Sequence, residues 1–372
     1  MPLLHLRKKI ETLLAQADVR IDGDRPWDLK VLNDRFYTRV VAQGPLGLGE
    51  AYMDGWWDCP QMDEFFFRVM AARLEEKIKT LTYFFDVAKA KLINCQKPTR
   101  SFEVARRHYD IGNILYRHML DQRLVYSCGY WQNAATLDEA QDAKLDLVCR
   151  KLGIAPGMRV LDVGCGWGGA ARFIAERYGA EVVGITVSKE QAATATELCR
   201  GLPVEIRLRD YRELEGVFDR ILSIGMFEHV GRKNYRAFFN ILRRCLKETG
   251  LFLLHTIGND ESVYCNNPWI ERYIFPNSMV PSAKQVCVAL DGYFLIEDWH
   301  NFGVDYDRTL MQWFYNFQEN WSTLKSCFDD RFFRMWKYYL LSCAGSFRAR
   351  RNHVWQIVLS RNGVPGGYRS FR

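Results

Sequence analysis

Val160-Leu-Asp-Val-Gly-Cys-Gly-Trp-Gly-Gly169 decides the fold. Its apolar start reads as a buried strand, its glycines as a tight turn, and Ala170 to Tyr178 as the helix that follows. Gly164, Gly166 and Gly169 fit a GxGxxG spacing, where a missing Cβ lets the backbone turn sharply and approach a ligand closely. Working outward, apolar strand-like runs recur at Arg159–Val163, Val182–Thr186, Val204–Leu208, Arg220–Ile224 and Leu251–His255, and later at Phe294–Trp299 and Trp355–Leu359. Helical patterns separate them from Leu145 onward. That alternation predicts an α/β fold, a largely parallel sheet covered by helices.

The chain has 372 residues, room for two domains and a large core. With 48% apolar and 26% charged residues it is no fibre, disulfide miniprotein or disordered tail, whereas 14% aromatic residues is high. A net charge of +7 makes the surface mildly attractive to phosphates or acidic lipid headgroups, without choosing between nucleic acid and membrane. Eleven cysteines, an odd number with no CxxC pair, and no secretory leader predict a reduced, cytoplasmic setting. No run approaches the roughly 18 uninterrupted apolar residues of a membrane span, so membrane contact is expected to be peripheral.

Met1 to Asn94 reads as mostly helical. Ile10, Leu13 and Leu14 mark a first helix. Phe66, Val69, Met70, Leu74, Ile78, Leu81, Phe85 and Leu92 predict an amphipathic helix, or a pair, over Asp63–Asn94. Between them, in Gly44–Trp57, the glycines are expected to make tight turns and the aromatic cluster to supply an apolar anchor or a packed core. Cys95–Ser101, with Pro98, is the best linker. The expected division is a helical domain over 1–94, a linker over 95–101 and a second domain over 102–372.

A dinucleotide site would want a carboxylate closing the second strand, but that strand ends Val183-Gly-Ile-Thr186. Here the acid precedes the glycines, as Asp162-Val-Gly-Cys-Gly, which resembles the first motif of S-adenosylmethionine-dependent methyltransferases. Ser188-Lys-Glu-Gln191 reads as a capping box opening a helix. Thr186 and Gln191 stand where ligands of open α/β sheets bind and can hydrogen-bond ribose hydroxyls; on the blander reading Ser188 and Gln191 only satisfy helix-end amides. Asp210-Tyr211, beyond the third strand, is placed to meet adenine.

Further strings are His108-Tyr-Asp-Ile-Gly-Asn113, Tyr126-Ser-Cys-Gly-Tyr-Trp131, Gly225-Met-Phe-Glu-His-Val-Gly231, His255-Thr-Ile-Gly258, Tyr273-Ile-Phe-Pro-Asn277 and Asp298-Trp-His-Asn-Phe-Gly-Val-Asp-Tyr306. With Gly44–Trp57 they resemble the bacterial cyclopropane-fatty-acyl-phospholipid synthases over nearly the whole chain. The resemblance includes an N-terminal domain that the shorter mycolic-acid cyclopropane synthases lack. It implies a class I methyltransferase domain, with a Rossmann-like seven-stranded sheet and a reversed terminal hairpin, behind a smaller, mainly helical N-terminal domain associated with lipid. It also implies methyl transfer from S-adenosylmethionine to a cis double bond of an unsaturated acyl chain in a membrane phospholipid, then loss of a proton from that methyl to close a cyclopropane ring. A bicarbonate ion is the base in such enzymes. Its binding residues carry over as Cys128, Glu228, His255, Ile257 through its backbone, and Tyr306. Cofactor contacts carry over onto Tyr126, Ser127, Asp162, Gly164, Gly166, Thr186 and Gln191 and, by position, Asp210 and Tyr211. A homodimer on the inner face of the cytoplasmic membrane, contacting anionic lipid, is implied too.

The chemistry gives an independent reason for such residues. An alkene is a poor nucleophile, so a carbocation-like state needs a dry pocket with aromatic faces, for which Tyr130, Trp131, Trp167 and Tyr273 are available. Removing the methyl proton needs a base held close by, and an anion bound by His255, Tyr306 and a peptide amide can serve. Glu228 follows one apolar strand and His255 ends the next, which puts both on the ligand-bearing edge. Each has a plainer alternative: a core histidine, a helix-capping carboxylate and, for Cys128, a buried apolar residue. His229 and His300 are taken as structural. No metal-ligand spacing and no GxSxG elbow occurs. Lys8, Lys9, Lys77, Lys79, Lys89 and Lys91 suit an anionic membrane or are simply solvated faces. No basic cluster carries a nucleic-acid recognition motif. The rival readings are a methyltransferase acting on another substrate and a lipid-binding protein without catalysis.

Overall fold

The computed structural model describes residues 3–77, 112–263 and 266–372. The linker 95–101, Ile78, Leu81, Phe85, Leu92, Lys79, Lys89, Lys91 and most of the His108–Asn113 string lie outside the described residues. Two-residue strands β1 (Lys30–Val31) and β2 (Trp57–Asp58) pair antiparallel. The main sheet comprises β3 (Arg159–Val163), β4 (Glu181–Thr186), β5 (Val204–Leu208), β6 (Phe218–Ile224), β7 (Leu246–Asn259), β8 (Leu295–Asn301) and β9 (Asn352–Ser360), in the order β5-β4-β3-β6-β7-β9-β8. The pairs β3/β4, β3/β6, β4/β5 and β6/β7 are parallel and β8/β9 antiparallel, so the expected seven strands and reversed hairpin are present. The order turns around at β3, between β4 and β6, and ligands of open α/β sheets bind beyond the carboxyl ends of strands at such a point.

Strand periodicity builds the two faces. Val160, Val182, Leu222, Leu253 and Val358 point into one apolar cluster, beneath Leu145, Val148, Leu152 and Ile174 of the covering helices. Their neighbours Leu161, Val183, Ile221, Phe252 and Ile357 point into the other, against Phe238, Phe239 and Leu242. Burial on both sides is why these strands read as continuous apolar runs rather than alternating ones.

The chain forms two compact units, and they interleave. The first takes Met1–Ile93, Tyr264–Pro276 and Tyr306–Asn352; the second takes Asn94–Val263, Asn277–Asp305 and His353–Arg372. The contiguous division 1–94, 95–101 and 102–372 does not coincide with them beyond the first boundary.

In the first unit the helix Asp330–Arg348 packs on the helix Met62–Ala71, closely enough that a Cβ on Gly345 would meet Asp63 O and Phe66 Cβ at 2.7 Å each. Arg348 fixes the pair by bonding Asp63 (2.8 Å) and Asp307 (2.9 Å). Two expectations change here. Pro45–Met53 is a helix, and a Cβ on Gly47 or Gly49 would strike Arg39 O (2.5 Å) or the Trp269 indole (2.4 Å), so these glycines serve close packing rather than turns. Trp57 is fully buried, ringed by Phe36, Tyr52, Phe65 and Tyr338, which makes it core rather than an anchor. The segment from Asp63 breaks after Ala71 and resumes at Leu74–Lys77, with Arg73 at φ 52°. No described helix is long and apolar enough to cross a membrane.

Candidate active site

The glycine turn links β3 to the helix Gly169–Tyr178. The amides of Gly164 and Cys165 both donate to Ile185 O (3.0 and 2.9 Å), fastening the turn to β4. Gly164 has φ 86°, and a Cβ there would lie 2.7 Å from that of Met226. At Gly166 (φ 54°) a Cβ would instead enter open space, so this glycine leaves room for something other than protein. Asp162, 2% exposed, keeps Oδ2 without a hydrogen-bond partner among the described residues. Burial pushes its carboxyl up to about 7 against the opposing pull of the Lys144 ammonium.

At the end of β4, Thr186 Oγ1 donates to Gln191 Oε1 (2.9 Å) and accepts from Ser188 N (3.2 Å). Ser188 caps the next helix by accepting from Gln191 N, but the expected capping box is only half formed, because the Gln191 side chain turns to Thr186. The two side chains expected to meet a ribose therefore bond each other. Asp210 caps the short turn Tyr211–Glu213 and pairs with Arg212 at 3.0 Å. The Tyr211 ring packs edge-on against Phe238 in the core, its hydroxyl without a partner among the described residues.

Tyr126 stacks edge-on against Tyr116, which lies against Trp167 of the glycine turn. Trp167 Nε1 donates to Asn113 Oδ1 (2.9 Å), and Asn113 Nδ2 donates to Thr194 (3.1 Å). Ser127 is held from the helix Leu137–Leu152: Gln141 Nε2 donates to its carbonyl (2.8 Å) and Lys144 Nζ to its Oγ (2.8 Å). Gln141 and Lys144 were not among the expected residues. Their signal is polar side chains at i, i+3 on the stripe that also buries Leu145, Val148 and Leu152.

Glu228 sits in the short turn Phe227–His229 beyond β6. Its Oε1 accepts from Ile257 N (2.7 Å), while Oε2 is buried without a partner among the described residues. Burial pushes this carboxyl up to about 7, tempered by the Ile257 amide. The Ile257 N–H expected to face an anion is thus occupied by Glu228. His255 does not end its strand: it pairs with Ile224 in register, and β7 continues to Asn259 beside β9. It shares a strand face with Ile257, two residues on. Burial, then the charges of Lys144 and Lys151, keep its imidazole neutral, and Gln356 Nε2 lies 3.4 Å from its Nδ1. Cys128 Sγ donates to Gly129 O at 3.1 Å. Tyr306 belongs to the first unit, where its ring packs on Trp313 and Phe347, and Tyr273 of the same unit donates to Glu50 (2.8 Å). His300 contacts Lys151 Nζ at 3.0 Å, and half-buried His229 has its pKa lowered to about 4 by desolvation.

Open space over Gly166, a paired hydroxyl and amide at Thr186 and Gln191, and an unpaired buried carboxylate fit a cationic nucleoside such as S-adenosylmethionine. The comparisons agree. A model of the mycolic acid cyclopropane synthetase family matches residues 96–357. The chain is similar to cyclopropane-fatty-acyl-phospholipid synthase of Escherichia coli (strain K12), 49% identical over 363 residues, which are 97% of this chain and 94% of that one. It is also similar to the crystal structure of mycolic acid cyclopropane synthase CmaA1 complexed with SAH and CTAB, with TM-score 0.64, 33% identity, and coverage of 69% of this chain and 97% of that one. Coclaurine N-methyltransferase, at TM-score 0.69 but 23% identity over 84% of this chain and 98% of its own, shares the fold. Sheet order, glycine turn and matched span together make this chain a member of the cyclopropane synthase family, an α/β S-adenosylmethionine-dependent methyltransferase.

Proposed function

We propose that the protein converts cis double bonds of unsaturated acyl chains in membrane phospholipids into cyclopropane rings. The observation that carries this reading is Glu228 bonded to the Ile257 amide beside His255, on the same sheet edge as the glycine turn. S-adenosylmethionine supplies the methyl carbon, and bicarbonate, when bound, supplies the proton acceptor for ring closure. Gly164 and Gly166 make room for the cofactor, Thr186 and Gln191 meet its ribose, and Tyr126, Ser127 and Asp162 line its methionine end. Asp210 meets the adenosine through the turn it caps; Tyr211, packed in the core, supports that turn. Glu228, with one oxygen unpaired, accepts from the hydroxyl of the anion, and the neutral imidazole of His255 donates to it. Cys128 completes that site, and Ile257 contributes by orienting Glu228.

The N-terminal helices meet the anionic membrane surface, and the enzyme works as a peripheral homodimer at the cytoplasmic face. The test is to incubate the purified chain with methyl-labelled S-adenosylmethionine and vesicles containing oleoyl or vaccenoyl phospholipid, then analyse the acyl chains. Label in cyclopropane rings is expected. Label on a headgroup, a protein-carried acyl chain or a small amine, with no rings, would overturn this reading in favour of a methyltransferase with another substrate.

A further inference from the structure

Lys144 has no solvent exposure, and a lysine in that position needs a reason. Its ammonium donates to Ser127 Oγ at 2.8 Å and lies within electrostatic reach of three acidic groups: Asp121, the Cys128 thiol and Asp162. The two carboxylates are not equivalent. Asp121 accepts from Val125 N (Oδ1, 2.9 Å) and Arg123 N (Oδ2, 2.9 Å), so both its oxygens are paired. Asp162 Oδ2 has no partner among the described residues. With both carboxylates ionised, one lysine leaves the buried group a full negative charge over, and an uncompensated buried charge takes up a proton instead.

We propose that Lys144 is a positioning residue of the cofactor site, holding Ser127 in place and setting the protonation of Asp162, so that the arriving cationic cofactor expels a proton from the Asp162 carboxyl to the solvent. The inference rests on the reading of this site as one for S-adenosylmethionine. Burial raises the Asp162 carboxyl to about 7, which places the event near neutral pH. The other groups facing Asp162 are Cys165 in the turn and Cys199 closing the helix Lys189–Leu198, and burial holds both thiols protonated there. Those acting on Lys144, whose own pKa burial lowers to about 8, are Cys128 and Asp121, whose carboxyl burial raises to about 6, so that Asp162→Asn is what separates release by Asp162 from release by Asp121; the His255 imidazole on β7, which feels the lysine's charge, is already neutral. Glu228, also raised to about 7, is perturbed by burial and its own turn and strand, without an Asp162 contribution, and so serves as a control.

The experiment is calorimetric titration of S-adenosylmethionine into the full chain at pH 6, 7 and 8, in buffers of different ionisation enthalpy, to count protons released per cofactor bound. About half a proton at pH 7, rising toward one at pH 6, is expected, with Kd weakening about tenfold from pH 8 to pH 6. Asp162→Asn should remove the release, and Glu228→Gln should leave it intact. Lys144→Met should raise the release at pH 8, because Asp162 then holds its proton more tightly, and Lys144→Arg should restore the wild-type count. If Lys144→Met fails to fold, Lys144→Gln takes its place, and release unchanged from wild type at every pH in a folded variant of either kind would overturn the role given to Lys144. Tight binding with no proton release, release that persists in Asp162→Asn, or release lost in Glu228→Gln would each overturn the proposal while leaving the cofactor site standing. Failure to bind S-adenosylmethionine at any pH would overturn the cofactor reading itself.

Discussion

The main-chain amide of Ile257 donates to Oε1 of Glu228 at 2.7 Å, tying the middle of β7 to the turn that follows β6. One carboxylate oxygen is thereby fixed by the backbone, and the other is buried without a partner among the described residues. His255 lies two residues earlier on the same strand face, so a single strand aligns a donor and an oriented acceptor.

Replacing either residue should damage turnover and spare cofactor affinity, since the role proposed for both is at the methyl proton rather than at the adenosine. For Glu228→Gln and His255→Ala, ring formation in oleoyl chains is expected to fall by roughly 10²–10⁴. Activity in decarbonated buffer should also drop and recover with added bicarbonate. Wild-type turnover in either variant would remove it from the chemistry.

Glu228 also carries a stability signature. Its folded carboxyl is raised to about 7 from an ordinary 4.5, so the fold binds this proton more tightly than the unfolded chain. The contribution is fully present below about 4.5 and is lost as pH rises through 7. Glu228→Gln should therefore stabilise the protein at pH 8 relative to wild type, by at most roughly 3 kcal/mol, and the gain should vanish toward pH 5. Denaturant unfolding at both values checks the sign.

Gly166→Val should weaken S-adenosylmethionine binding far more than folding. The added side chain enters open space rather than protein, although the positive φ adds backbone strain of about 1 kcal/mol or more. Calorimetry returning wild-type affinity in a folded variant would take the turn out of the site.

Leu4 is 78% exposed and Leu3 43%, on the same N-terminal helix as the exposed Lys8 and Lys9. Membrane attachment through this end predicts that vesicle binding rises with anionic lipid, weakens as salt shortens the screening length below about 8–10 Å, and falls in Leu4→Asp. Sedimentation with vesicles measures all three. Indifference to charge and salt would point to apolar attachment elsewhere.

The central strands were legible because they are buried on both faces, and the Arg159–Val163 run matches β3 residue for residue; the edge strand β5 also matches its Val204–Leu208 run, although its residues are half-buried or exposed. β7 outran the Leu251–His255 run at both ends, because Leu246 pairs with Phe218 beyond a register shift and a place beside β9 keeps residues such as Thr256 and Asn259 extended. Glycines misled where helix packing, not turning, required them, as at Gly49 against Trp269. At the site, Gly164, Gly166, Thr186, Gln191 and Glu228 lie at or just beyond the strand ends read from the sequence, whereas His255 lies inside β7. Lys144 and Gln141 could not, because their role depends on which loop a helix happens to cover. Nor could the occupation of the Ile257 amide, which is a tertiary hydrogen bond between segments 29 residues apart.

The polypeptide passes from one compact unit to the other after Ile93, Val263, Pro276, Asp305 and Asn352. Neither body can therefore be excised as a single stretch of gene. A fragment beginning after residue 94 would retain Gly345 and Tyr338 but lose Phe65, Phe66 and Trp57, which cover them, and would expose an aromatic surface prone to aggregation. Each body thus needs segments made at widely separated times during synthesis, and neither has all of its chain until Asn352 or later has been added.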